Sequence, residues 1–457
     1  MSTEALLAGA GATPFKEQVG KKNDDDNNNA VEDSASAVVP EAESKDLSAI
    51  THVDGTISSS FKEESNFIAD LKESEKKALQ DFKEKIEALI KTPEEEEKED
   101  ISLWGVPLSE SKGDERTNVI LLKFLRARDF KVDEACSMLV NTIRWRKSFF
   151  KADTGEEEEQ QEGAAEEDSS ELDSFFYMQG SDKEHHPVCY NNWGAFQDKD
   201  LYNKTFGDAT KIQNFVRWRV RVLEKGIKQL DFVPGGHSAI LQVNDVKNIP
   251  LFKKEMRGVI IGFVTLLQDN YPELVVKNVF VNTPWYFSAL YSVISPFITQ
   301  RMKRKIVLAR PGQIFKSIAP ENVPVQYGGF AQPNDTAFAG VKYSVEQLSI
   351  KAGEKESIEI ALEQAGSTAV WDLSVIGWDI SYGVEFAPTA TESYHSIIEK
   401  TRKIVSVEEP IRTTFKCVEP GKLVLSIDNT ASRKKKLVVY RFKVAAAPGA
   451  VVTTAEL

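Results

Sequence analysis

Along "FKEESNFIADLKESEKKALQDFKEKIEALIK" (61–91), Leu71, Leu79, Phe82, Ile86 and Leu89 recur at helical spacing with charges between them. This predicts a helix with one packed face, with a partner-binding helix as the second reading. "TNVILLKFLRARDFKVDEACSMLVNTIRWRKSFF" gives two more helices separated by a turn at Asp129 and Phe130. Asp133 is the expected N-cap of the second, Glu134 lies in its first turn, and Ala135, Met138, Leu139, Thr142 and Ile143 form its buried stripe. Residues 61–150 are therefore expected to form a helical region.

From residue 174 the pattern becomes mixed. "SAILQVNDV", "KNVFVN" and "KIVLA" read as strands, and "KIQNFVRWRVRVLEKGIKQL" and "KKEMRGVIIGFVTLLQDN" as helices. Strands alternating with helices predict an α/β domain over 174–332, closing at the Gly-Gly turn of "VPVQYGGF". Beyond residue 340 the period is two. Trp371, Leu373 and Val375 alternate, then Trp378, Ile380, Tyr382, Val384 and Phe386 continue in opposite phase. A phase slip at Ile376-Gly377 implies a bulge or bend. "KLVLSIDNTASRKKKLVVYRFKV" adds two strands around an Asp-Asn turn, so 335–446 reads as a separate antiparallel β-sandwich.

The stretch "NTPWYFSALYSVISPFITQRMKRKIVLA" (282–309) fits neither pattern. Its apolar run is short, carries hydroxyl side chains and contains Pro296. A membrane-crossing helix needs about 20 predominantly apolar residues, so no transmembrane span is expected here. A core helix and a helix that meets lipid part of the time both remain open.

Composition narrows the choice of chemistry. The net charge of −13 argues against a nucleic-acid partner, and any attraction to anionic membranes must be local. Residues 1–60 are too polar to bury a core and are expected to be a disordered acidic tail, 151–173 an acidic flexible insert, and 447–457 a tail. Three scattered cysteines suit packing in a reducing, cytoplasmic compartment. The five histidines include His185 and His186 in "EHHP", but no cluster has metal-ligand spacing. No nucleophile elbow, P-loop or dinucleotide fingerprint is present. We expect no enzyme, no metal and no cofactor other than a bound lipid.

Several stretches together resemble a known family. "LLKFLRARDFKVDEA" is similar to the N-terminal lobe of CRAL-TRIO lipid-transfer proteins. "LQVNDVKN", "NYPELVVKNVFVNTPWYFSALYSVISPFIT" and "ENVPVQYGG" resemble parts of their lipid-binding domain, and the last hundred residues resemble a GOLD domain. An acidic extension followed by CRAL-TRIO and GOLD is the arrangement of the plant patellins. "HPVCYNNWGAFQDKDLYNKTF" and "VIGWDISYGVEFAP" are similar to patellin sequence.

The resemblance implies that Pro284–Gln300 is a mobile gate over an apolar cavity. Trp285, Phe287, Leu290, Tyr291, Ile294 and Phe297 would cover acyl chains when it is closed and enter the membrane interface when open. It also implies a phosphoinositide site formed by Glu273, Lys305 and Arg128. Asp129 and Met302 depart from the family pattern, and the basic end of the gate, Arg301, Lys303 and Arg304, suggests a more electrostatic recognition. Arg433, Lys434, Lys435 and Lys436 would lie on a hairpin turn, either solvated or as a second contact with anionic membranes. The implied function is a peripheral phosphoinositide-binding and lipid-transfer protein, with roles in trafficking and cell-plate formation at the plasma membrane or cell plate. The alternatives are a membrane-tethered adaptor that recruits protein partners through its GOLD domain, and a carrier of a small hydrophobic molecule such as a tocopherol.

Overall fold

The computed structural model describes residues 61–90, 101–151, 171–250, 253–340, 343–377, 379–405 and 409–446. The expected acidic tail, most of the acidic insert, the C-terminal tail and Trp378 lie outside them. The described residues form two compact units, divided after residues 179 and 309, with 180–184 belonging to the second.

In the first unit, helix α1 (Glu73–Ile90) packs on α2 (Arg116–Ala127) and α3 (Val132–Lys151). Leu71, Leu79, Phe82 and Ile86 enter the core as their spacing predicts. Leu89, read from sequence as part of that stripe, is instead exposed at the last turn. Described residues 61–67 are not helical, so α1 begins later than the sequence pattern suggests. Asp129 and Phe130 take left-handed backbone angles (φ 48° and 59°), which turn the chain from α2 into α3. Asp133 lies within the first turn of α3 rather than capping it, and its carboxylate pairs with Lys85 of α1.

A two-residue hairpin, β1 (Ser102–Leu103) and β2 (Val106–Pro107), sets Trp104 against Phe124, Phe232 and Tyr271. The main sheet has the order β3-β4-β5-β6-β7, with β3 Phe176–Ser181, β4 Pro187–Asn192, β5 Ile240–Asp245, β6 Val275–Val281 and β7 Ile306–Leu308. β4 to β7 run parallel. Strand β5 is buried along its whole length, as a strand covered on both faces requires. Helices α4 (Lys199–Phe206) and α5 (Ala209–Ile227) begin at Asp198 and Asp208. Both carboxylates accept hydrogen bonds from main-chain N–H groups of the first turn, at 2.8–2.9 Å. Helix α6 (Lys254–Asn270) follows β5. A short helix α7 (Phe287–Ile294), a 3-10 turn over Ser295–Phe297 and α8 (Gln300–Arg304) connect β6 to β7.

The second unit is an antiparallel sandwich of two four-stranded sheets. One has the order β13-β10-β15-β8 (Ile411–Lys416, Thr368–Ile376, Lys436–Ala445, Ser344–Ile350). The other is β12-β11-β14-β9 (Ser396–Ile404, Ile380–Pro388, Gly421–Asp428, Lys355–Leu362). The phase slip at Ile376-Gly377 is the point where the chain leaves one sheet for the other, with Gly377 at φ 97°. Both strands then point apolar side chains into one core, and Trp371 of β10 donates to the Tyr382 hydroxyl of β11 at 2.8 Å. β14 and β15 likewise lie in different sheets, so Arg433–Lys435 sit on a crossover rather than the expected hairpin turn. Lys436 is buried at the start of β15, and its ammonium donates to the Asp379 carbonyl at 2.6 Å. It is not available as a membrane contact, while Arg433, Lys434 and Lys435 are exposed.

A candidate lipid site: apolar cavity with a charged rim

The α/β unit encloses a cavity of about 420 Å³ between the sheet, α6 and α7. Ile260, Phe263, Val264 and Leu267 of α6 line one wall, and Phe280, Phe287, Tyr291, Ile294 and Ile298 line the gate side. Such a volume with apolar walls accepts an acyl chain or comparable apolar ligand. Its inner lining is not wholly apolar. Arg219 of α5 is buried, lies against the faces of Phe176 and Phe263, and donates to Asn191 Oδ1. Its Nε and Nη1 have no hydrogen-bond partner among the described residues, and neither does Gln242 Nε2. No pattern in the sequence marks these residues, because an arginine on an amphipathic helix ordinarily faces water.

The proposed gate splits into two directions. Phe287 (8% exposed) and Tyr291 face inward against the core, with Ile294 half-buried beside them, whereas Trp285 is 92% exposed and Phe297 is also exposed. Trp285 precedes the first helical residue, so helical spacing does not govern where it points. The Leu290 side chain lies outside the described set. Pro296 ends α7 in a 3-10 turn, and Gln268 of α6 fixes the next segment by donating to the Phe297 carbonyl and accepting from Thr299 N–H at 3.0 Å. Thr299 then caps α8 through Met302 N–H. Gln268 has no sequence signature.

At the rim the structure brings together Glu273 and Lys305. The Lys305 ammonium donates to Glu273 Oε2 and to the Val275 carbonyl, both at 2.7 Å, and is almost fully buried. Arg301 donates through Nε to the other carboxylate oxygen, also at 2.7 Å. Burial pulls the Lys305 ammonium below the ordinary lysine range, opposed by Glu273. Burial also works against the Glu273 carboxylate, but Lys305 and Arg301 hold its pKa below the ordinary carboxylate value.

Arg128 lines the cavity, but among the described residues its side chain donates to its neighbour's carbonyl, Ala127 O, at 3.1 Å, and not to the rim carboxylates. The other arginine of "LRAR", Arg126, reaches the network instead. Its side chain is 8% exposed and sits 3.2 Å from Glu64, whose carboxylate also pairs with Arg301. Lys303 and Arg304 lie on α8 beside Arg301, with Lys303 half-buried and Arg304 exposed.

Lys123 lies beneath this rim, and its Nζ donates to the Glu273 carbonyl at 2.9 Å. Burial lowers its pKa to about 7, against the pull of Glu273. The unfolded chain then binds this proton more readily than the folded one between about pH 7 and 10, so stability should rise with pH across that window, by up to ~1.4 kcal/mol per pH unit. The expected result is that Lys123→Met flattens this rise in urea melts between about pH 7.5 and 9.5. Lys305, shifted in the same direction, leaves a residual slope. An unchanged slope would mean that Lys123 is not charged in the unfolded chain alone over this range.

A helical lobe, a parallel sheet holding a covered apolar cavity, and a following β-sandwich define a CRAL/TRIO protein with a GOLD domain. Family models agree: CRAL/TRIO, N-terminal domain, matches residues 78–141, the CRAL/TRIO domain matches 173–329, and the Patellin-1-like, C-terminal GOLD domain matches 351–436. Patellin-6 of Arabidopsis thaliana is 45% identical over 391 residues, covering 85% of this chain and 91% of that protein. Patellin-3 of the same plant is 46% identical over 394 residues, 84% of this chain and 78% of that one. The phosphatidylinositol transfer protein SFH5 of Meyerozyma guilliermondii is 28% identical over 260 residues, 54% of this chain and 72% of that one. A crystal structure of Sfh5 aligns with a TM-score of 0.42 at 24% identity, over 52% of this chain and 80% of that one. The chain belongs to the patellin family.

Proposed function

We propose that this protein encloses one lipid in the α/β cavity, holds a phosphoinositide headgroup at the Glu273–Lys305 rim, and exchanges its lipid at anionic membranes. The observation that carries the reading is the joining of an apolar cavity to a buried ammonium at one mouth. A phosphate there could replace part of the Glu273 contact with Lys305 and Arg301, so the cations need not be left unpaired. The buried polar groups of Arg219 and Gln242 offer ester or phosphate oxygens a second place to bond. The name of the related SFH5 protein, a phosphatidylinositol transfer protein, supports the same ligand class. Among the described residues no helix is long and apolar enough to cross a membrane, so membrane contact in this proposal is peripheral. Trp285 and the exposed basic residues Arg433, Lys434 and Lys435 are the contacting groups we propose. Action in trafficking at the plasma membrane or cell plate is part of the proposal and rests on family membership alone.

Two variants test it in one assay of phosphatidylinositol transfer between vesicles. Trp285→Ser should leave the melting temperature unchanged, because the ring is exposed, while transfer falls severalfold. Lys305→Met should lose phosphatidylinositol transfer and retain transfer of phosphatidylcholine. Equal loss of both lipids in Lys305→Met would remove the headgroup assignment, and wild-type transfer by Trp285→Ser would remove the gate's membrane contact.

A further inference from the structure

Residues Phe61–Asn66 run as a strap over the charged rim, and four of its six side chains meet a basic group. The Phe61 ring lies 4.7 Å from Lys305 Nζ and 5.6 Å from the Arg301 guanidinium. Glu63 accepts from His186 Nε2 at 3.0 Å. Glu64 bridges Arg126 and Arg301, and Asn66 accepts from Arg126 at 2.6 Å while its amide donates to Ser238. Nothing in α1 requires this arrangement, since the helix begins only at Glu73. What the strap supplies is a carboxylate between two guanidinium groups, the geometry that a phosphate monoester would also satisfy.

We propose that Arg126 and Arg301 form an anion subsite beside the Glu273–Lys305 pair, occupied here by the chain's own Glu64 and taken by a phosphate monoester when the strap is displaced. The subsite differs from the pair in its partners. Arg301 spans both, giving Nε to Glu273 and its terminal nitrogens to Glu64, while the Arg126 guanidinium bonds the strap at Glu64, Ser65 O and Asn66. The space left beside these groups is about 20 Å³, enough for a water and too small for a phosphate, so an incoming phosphate must move Glu64 rather than sit next to it. Burial lowers the Arg126 pKa while Glu64 opposes it, and burial works against Arg301 while Glu64 and Glu273 hold its pKa above the ordinary value. Both guanidinium groups therefore need an anion, and the strap provides one only as long as no stronger one arrives. A headgroup with additional phosphates would gain from the exchange, and a headgroup with a single diester would not. The strap thereby acts as a built-in competitor that biases the site toward polyphosphorylated headgroups. This inference rests on the headgroup reading above for the placement of the inositol ring.

The test uses the full chain and phosphatidylcholine vesicles carrying either phosphatidylinositol or its 4,5-bisphosphate, with soluble inositol 1,4,5-trisphosphate as a second ligand measured by calorimetry. Glu64→Gln should raise the affinity ratio of bisphosphate over phosphatidylinositol about fivefold, the scale of one partly exposed ion pair. Arg301→Gln, at a partly exposed position, should abolish that gain when combined with Glu64→Gln. A gain that survives in the double variant is general charge attraction and overturns the subsite, as does a ratio unchanged in Glu64→Gln. If Glu64→Gln tightens the soluble trisphosphate to the same extent, the subsite stands with free inositol phosphates as a source; if only the vesicles respond, its ligand is the lipid headgroup. A raised ratio in Glu64→Gln together with an unaffected Lys305→Met supports the subsite and removes the Glu273–Lys305 headgroup reading.

Discussion

Glu273→Gln is expected to cost about 3–5 kcal/mol of stability, the largest loss from any single change at the rim. The carboxylate accepts from Lys305 and Arg301 at 2.7 Å each, and its own main-chain carbonyl accepts from the buried Lys123. A neutral amide would leave the buried Lys305 ammonium without a counter-charge and present N–H donors to cations. Arg301 keeps Glu64 and is less affected. Combining Glu273→Gln with Lys305→Met should recover much of the loss, because the orphaned cation is removed and only a cavity lining changes. Urea unfolding of the wild type, the single and the double variants measures this directly. A single-variant cost below about 1 kcal/mol would place the pair among exposed salt bridges, whose contribution is small.

This network shows where sequence reasoning reaches and where it stops. The helical stripe of α1, the strands β5 and β6 and the sandwich followed from periods of 3.6 and two, because burial of one face leaves a pattern along the chain. Glu273 and Lys305 were reached through family resemblance. They lie on either side of the gate, and no local spacing pairs them. Arg126 rather than Arg128 enters the network for a reason the motif hides: the last turn of α2 points Arg126 toward a strap about sixty residues earlier in the chain. Trp285 and Phe287 look like a single apolar group in sequence, yet the first stands outside the helix and faces solvent while the second faces the core. Lys436 reads as one more basic residue in a cluster, but it begins a strand whose alternation carries it inward, where Asp379 receives its ammonium. The slip at Ile376-Gly377 was visible, and its cause, a change of sheet, required the strand pairing.

The second large effect concerns the cavity itself. Val264 lines it from α6, so a tryptophan there would occupy space that a lipid needs without displacing the packed core. Val264→Trp should therefore melt close to the wild type while losing lipid transfer by about tenfold or more, since excluding an acyl chain costs the bound state at least ~1–3 kcal/mol. Smaller losses are expected at Ile294 and Ile298, which line the opposite side of the cavity. A Val264→Trp protein that transfers lipid at the wild-type rate would show that the ligand passes elsewhere.

The most direct measurement of the central claim is native mass spectrometry of the purified full chain after incubation with mixed phospholipid vesicles, followed by organic extraction of the same sample. The account predicts a mass increment of one phospholipid per chain, identified as phosphatidylinositol-class in the extract, and its absence from Val264→Trp. A chain that carries no lipid under these conditions, or one that carries the same lipid with Val264→Trp, would contradict it.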